Sequence, residues 1–87
     1  MITIREAGLN AAEFLKELFP DASEILVEEV EKDDTKNHWI ITLGFKLPPI
    51  TIIEAIGPIG LLRKYKTFRV DAENGHVISM KIRELSR

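Results

Sequence analysis

The chain contains no cysteine, which excludes a disulfide scaffold, a cysteine-based zinc site and a thiol nucleophile. It also lacks any continuous apolar stretch long enough to span a membrane. Its first residues, MITIREAGLNAAEF, carry Arg5 and Glu6 where a signal peptide would place its apolar core. The reading is a cytoplasmic chain without membrane association. Neither sign of charge dominates, since 12 Lys and Arg face 14 Asp and Glu, a net of -2, while 45% of residues are hydrophobic. That balance excludes a disordered chain, and 87 residues accommodate one domain and no second core.

Residues for chemistry are equally scarce. Ser23, Ser79 and Ser86 accompany His38 and His76, with no G-x-S-x-G elbow, so no nucleophile-and-base arrangement is legible. The two histidines have neither His-x-His nor His-x3-His spacing and read as surface residues at strand starts. The acidic run 28–34 lacks the Asp-x-Asp-x-Asp-Gly spacing of a calcium loop, and Gly57-Pro58-Ile59-Gly60 lacks the form of a phosphate loop. No enzyme, cofactor or metal is expected.

Apolar residues Ile4, Ala7, Ala11, Leu15 and Leu18 recur at helical spacing with Phe14 and Phe19 alongside, which predicts a helix over residues 4–19. Thr3-x-x-Glu6 fits a capping box. Asn10-x-x-Glu13 offers a rival start, because Gly8 weakens the turns before it by up to about 1 kcal/mol against Ala; fraying is expected ahead of Gly8. Pro20 ends the helix.

Residues 24–31 place Ile25, Leu26, Val27 and Val30 among glutamates, which predicts a strand with one wet face. Its phase stays open, and a bulge would resolve it. After the polar turn 32–37, residues 38–46 alternate cleanly, with Trp39, Ile41, Leu43 and Phe45 on one side and His38, Ile40, Thr42 and Lys46 on the other. Residues 65–71 and 76–83 form a hairpin about Ala72-Glu73-Asn74-Gly75, Asn-Gly supplying positive φ angles. Phe68 and Val70 in one arm and Ile78, Met80 and Ile82 in the other face the core, while Lys81 and Arg83 point to water. The expected fold is α+β, α-β-β-β-β, one N-terminal helix on a four-stranded antiparallel meander.

The segment YKTFRVDAENGHVI, residues 65–78, resembles the closing hairpin of PepSY-like domains, in which an aromatic-led strand runs into Val-Asp-Ala, a polar residue, Gly and a second apolar strand. The preceding helix, Glu-rich strand and Trp-containing strand are similar to small PepSY-like proteins of bacteria. The resemblance implies a single domain over residues 1–87 with a cystatin-like fold, and a binding or inhibitory role beside peptidases. It carries no catalytic residues to transfer.

Charge is unevenly placed. Residues 13–34 hold nine acidic residues against Lys16 and Lys32, a net of -7, and residues 61–87 hold seven basic residues against three acidic, a net of +4. A basic hairpin could hold a nucleic-acid backbone, but cross-strand attraction between acidic and basic strands explains the segregation more simply, and a net negative chain has little counterion-release drive. Nucleic acid is therefore not the expected partner.

Between the second and third strands, residues 47–62 carry one charge, Glu54, and nine aliphatic residues. Connections longer than about 12 residues are uncommon and usually functional. This one folds back on its own core, meets a second copy of the chain, or meets a different partner. The candidate interaction surface is Ile50, Ile52, Ile53, Ile56, Ile59, Leu61 and Tyr65, with the exposed sheet face around Ile40, Thr42, Tyr65 and Thr67. The function read from these residues is a non-enzymatic protein-interaction or self-associating module. The alternative is a small-ligand-binding or peptidase-regulating domain, for which one helix and four short strands leave little pocket volume.

Overall fold

A computed structural model describes residues 1–48 and 63–83 and arranges them as one helix on a four-stranded antiparallel sheet: α1 (Ile4–Leu18), β1 (Ser23–Asp33), β2 (His38–Lys46), β3 (Lys64–Asp71) and β4 (Val77–Ile82), in strand order β1-β2-β3-β4. The α-β-β-β-β meander expected from the pattern is present.

The capping box sets the helix start. Thr3 Oγ1 accepts from the Glu6 amide at 3.1 Å, and Glu6 Oε1 accepts from the Thr3 amide at 2.8 Å, so two amides that the first turn leaves unpaired are satisfied. The turns before Gly8 are helical, and Ala7 is fully buried. The rival start at Asn10 is not used: its side-chain amide donates instead to Gly75 O at 2.9 Å, tying the helix to the β3–β4 turn. At the other end Lys16 Nζ donates to Pro20 O and Ala22 O, at 2.9 and 3.0 Å, satisfying carbonyls beyond the last turn.

The core is a thin layer between α1 and the middle of the sheet. Ala7, Ala11 and Leu15 meet Ile41, Leu43 and Phe45 of β2 and Phe68 and Val70 of β3. Two alanines at the contact let the helix approach closely. Phe14 meets Phe68 edge-on at 6.2 Å, and Phe19 stacks on Phe45 at 6.4 Å, both in the range where aromatic pairs add to burial. Ile4 and Leu18, expected in the buried stripe, lie half exposed at its two ends.

The hairpin departs from expectation in a way that explains β4. Among residues 72–75 only Gly75 has positive φ, at 82°. Asp71 caps the turn, its Oδ1 accepting from the Glu73 amide at 2.7 Å, while the Gly75 amide reaches Asp71 O at 2.8 Å. This is a longer loop than a tight Asn-Gly turn. A register shift beside Val70 accompanies it and sets Val77 opposite Val70, with Met80 opposite Phe68. Val77 and Met80 therefore pack on the core and Ile78, the extra residue of the shift, is displaced from it, while Ile82 keeps the phase of Met80 but lies exposed opposite Lys66 at the strand end.

An apolar groove beside β1 and an ion-paired far face

Two irregularities in β1 decide what each face of the sheet presents. The register with β2 shifts between Ser23 and Leu26, where Glu24 has φ 51°, and again between Val27 and Glu29. Each absorbs an extra residue, so Ile25, Val27 and Val30 share the helix side, while Glu29, Glu31 and Asp33 stand opposite Thr42, Ile40 and His38 on the far side. The ambiguous phase of this strand is resolved by bulges.

On the far face the acidic strand and the basic segments meet across β2. Asp33 Oδ2 accepts from Arg69 Nη1 at 3.0 Å, Glu29 Oε1 lies 2.8 Å from Arg83 Nη1, Arg63 Nε is 3.6 Å from Glu28 Oε2, and Lys46 Nζ is 3.4 Å from Glu24 Oε1. Arg63 also donates to Glu24 O at 2.6 Å. The Arg69 hydrogen bond, with the Lys36 amide, holds the Asp33 carboxyl below its ordinary value of 3.8. Arg63 and Arg83 pass over Gly44 and Thr42, where β2 presents little or no side chain, and Arg69 passes beside His38.

The expected open sheet face is consequently closed at its centre. Thr42 is 2% exposed, sharing a hydrogen bond with the Thr67 hydroxyl at 3.2 Å and lying 3.3 Å from Arg83 Nη1. Ile40, Tyr65 and Thr67 are half-buried, and the Tyr65 ring lies against Gly44, where an added Cβ would come within 3.0 Å of it. Arg83, expected to point to water, is half-buried in its ion pair, whereas Lys81 is exposed as expected. Of the candidate residues in and beside the 47–62 connection, only Tyr65 falls in the described part of the chain. Ile50, Ile52, Ile53, Ile56, Ile59 and Leu61 lie outside the described residues. His38 sits 3.3 Å from Arg69 Nη1 and His76 is exposed. Among the described residues no group of His, Asp and Glu is arranged to hold a metal, and no helix is long and apolar enough to cross a membrane.

On the helix side the arrangement is different. α1 packs mainly on β2, β3 and β4, which leaves an open groove of about 440 Å³ between the helix and β1. Ile4, Gly8, Leu9 and Ala12 form one wall and Ile25, Val27 and Val30 the other, above a floor of Ile41 and Leu43. Arg5 is the one charged residue in its lining. Leu9 is 59% and Val27 53% exposed, so the walls are in contact with solvent. The volume lies within the range of about 300–1,000 Å³ seen for ligand pockets, which corrects the expectation of little room between helix and sheet. Sequence reasoning missed these residues, although the pair Ile4 and Leu9 beside Gly8, and the two-then-three spacing of Ile25, Val27 and Val30, carried the signal. The groove offers burial for apolar groups and no group suited to acid, base or nucleophilic chemistry. Compared with known proteins, the chain matches no family model, no curated protein and no solved structure.

Proposed function

We propose that this chain is a non-enzymatic protein-interaction module of PepSY-like type, acting in the cytoplasm, whose contact surface draws on the α1–β1 groove and on the aliphatic connection 47–62. The observation that carries the reading is the solvent-contacting apolar groove, a concave surface whose exposed Leu9 and Val27 a partner's apolar side chains would cover. The helix-over-meander order and the closing hairpin support the PepSY-like part.

The test is a quantitative pull-down from the native cell with three baits: wild type, Leu9→Asp with Val27→Asp, and Ile53→Asp with Ile56→Asp. Partners lost from the second and third baits are expected. Identical partner lists from all three would refute the reading. Light scattering of the purified chain measures the self-associating form of the same proposal, for which mass rising with concentration is the expected result. A second reading, favoured by the groove's volume and apolar lining, is a small apolar ligand. A thermal-shift series with saturated fatty acids of increasing length tests it, and stabilisation that the Val27→Asp variant abolishes is the expected sign.

A further inference from the structure

The geometry points to the edge of β1 as the acceptor of an extended partner strand that alternates aliphatic and basic residues, its aliphatic side chains entering the groove and its basic ones facing the glutamates of the far face. This rests on the interaction reading above and adds the chemistry of the partner.

Among the described residues β1 pairs with β2 alone. In an antiparallel ladder alternate residues turn their amides and carbonyls away from the existing neighbour, and such a row is a ready template for another strand. The bulges confine regular pairing to residues 29–33, where the register with β2 runs without interruption. An added strand lies about 4.8 Å beyond β1, and its helix-side residues fall beside Val30, which lines the groove, and beside Lys32, whose amine lies over the Trp39 ring. The groove is thus placed to receive the aliphatic side chain that falls beside Val30, while its neighbour on the same face packs along the Lys32 stem.

Charge selects the occupant. On the opposite face the incoming residues stand next to Glu29 and Glu31, and Glu31 is exposed with no ion pair among the described residues. A second copy pairing through its own β1 would set glutamate beside glutamate, which destabilises a cross-strand pair, whereas Lys or Arg at those positions stabilises it. A basic strand fits where a copy of this strand does not.

The test uses the full chain and a labelled, end-blocked peptide, Lys-Ile-Lys-Val-Lys-Ile-Lys, read by fluorescence anisotropy and by amide shifts in the nitrogen-15-labelled protein. Two control peptides replace the central Val and the Lys before it by Pro-Pro, which removes an amide facing β1 in either register, or replace every Lys by Glu. The basic peptide is expected to bind with shifts centred on residues 29–33, and the proline peptide about tenfold more weakly, a proline being excluded from a paired strand interior. Glu31→Lys, which changes an exposed side chain, is expected to weaken the basic peptide about three- to tenfold and to favour the acidic one. Equal binding of the basic and proline peptides, or shifts remote from β1, overturns strand addition. Binding seen only after residues 50–61 are replaced by Gly and Ser at equal length assigns the groove to the chain's own connection and likewise overturns it. If no peptide binds while pull-down partners still depend on Leu9 and Val27, the strand proposal falls and the interaction reading stands; if neither is seen, both fall.

Discussion

Replacing Gly8 by Ala should stabilise the protein, and the size of the gain follows from its surroundings. Gly8 occupies the second turn of α1, where glycine costs about 0.8–1.0 kcal/mol relative to Ala, because the unfolded chain loses more conformational freedom there. The substitution is favourable only if the new methyl has room. A Cβ at this position would meet Val27 Cγ2 at 3.7 Å, an ordinary van der Waals contact, and Gly8 does not adopt positive φ. Contact with Val27 adds a few tenths more through partial burial, at about 25 cal/mol per Å². A gain of about 1 kcal/mol corresponds to a Tm rise of about 4–8 °C for a domain of this size, read by calorimetry or by far-UV circular dichroism with a matching shift in urea midpoint. An unchanged or lower Tm would refute the reasoning. It would mean that the first turns fray in solution or that β1 lies closer to the helix than the groove requires. Because the methyl points into the groove, Gly8→Leu should occupy the space that Gly8→Ala only narrows, and lose binding at this site while the fold survives. Stability and binding would then respond oppositely to one position, as expected of a glycine whose value lies in open space.

Three further substitutions probe the core, the far face and its titration. Phe68→Ala removes a fully buried ring in edge contact with Phe14 and should cost about 3–5 kcal/mol by urea unfolding; a loss below about 1 kcal/mol would contradict the core assignment. Gly44→Ala places a Cβ 2.5 Å from Glu28 Oε2, 3.0 Å from Tyr65 Cε1 and 3.1 Å from Arg63 Nη2. The carboxylate and guanidinium can swing aside but the ring sits over the backbone, so a loss of about 1–3 kcal/mol is expected, and undiminished stability in chemical denaturation would show that the ring does not rest there. Asp33→Asn tests the ion pair with Arg69. The Asp33 carboxyl is held below 3.8 in the folded state, so its contribution is complete above that ordinary value and disappears as pH falls through the folded-state value. Urea midpoints of wild type and variant should therefore converge towards low pH and separate above about pH 4, and a gap of equal size at every pH would refute the assignment.

The elements legible in the sequence are those whose signals are local. Thr3-x-x-Glu6 specifies its own two hydrogen bonds, and the alternation from Trp39 to Phe45 specifies one buried face, so both could be read before any partner was known. The failures share a cause. Ile78 is in period with Met80 and Ile82, which by pattern places it in the core, but the loop at residues 72–75 and the register shift beside Val70 set its actual position. The phase of β1 was unreadable for the same reason, since bulges answer to the neighbouring strand. The groove was harder still. It exists because α1 sits over β2, β3 and β4, and a lateral displacement of helix over sheet leaves no trace in hydrophobic period. The connection 47–62 stood out by composition, yet composition alone does not place it.

The uneven distribution of charge, read in the sequence as attraction between acidic and basic strands, is realised across β2, which lies between them. Its far face carries His38, Ile40, Thr42 and Gly44, with no charge until Lys46 at the strand end, and Arg69 and Arg83 cross it to reach Asp33 and Glu29. Each partly exposed pair contributes at most about 1 kcal/mol, so their value to stability is small. Their larger effect is on availability. An arginine whose guanidinium already meets a carboxylate gives up that pair, at a cost of up to about 1 kcal/mol, before it neutralises a phosphate, so Arg63, Arg69 and Arg83 each carry that handicap. The same pairs also leave β1 asymmetric. Asp33, Glu28 and Glu29 are compensated from within, Glu31 is exposed, and on the other face Val27 and Leu9 meet solvent across a groove that the helix does not cover. A strand guarded by glutamates against its own copies, yet apolar at Val27 and Val30 towards the helix, would discriminate among proposed partners by charge while binding them by burial, which is why the basic peptide and its Glu31→Lys reversal form the decisive pair of measurements.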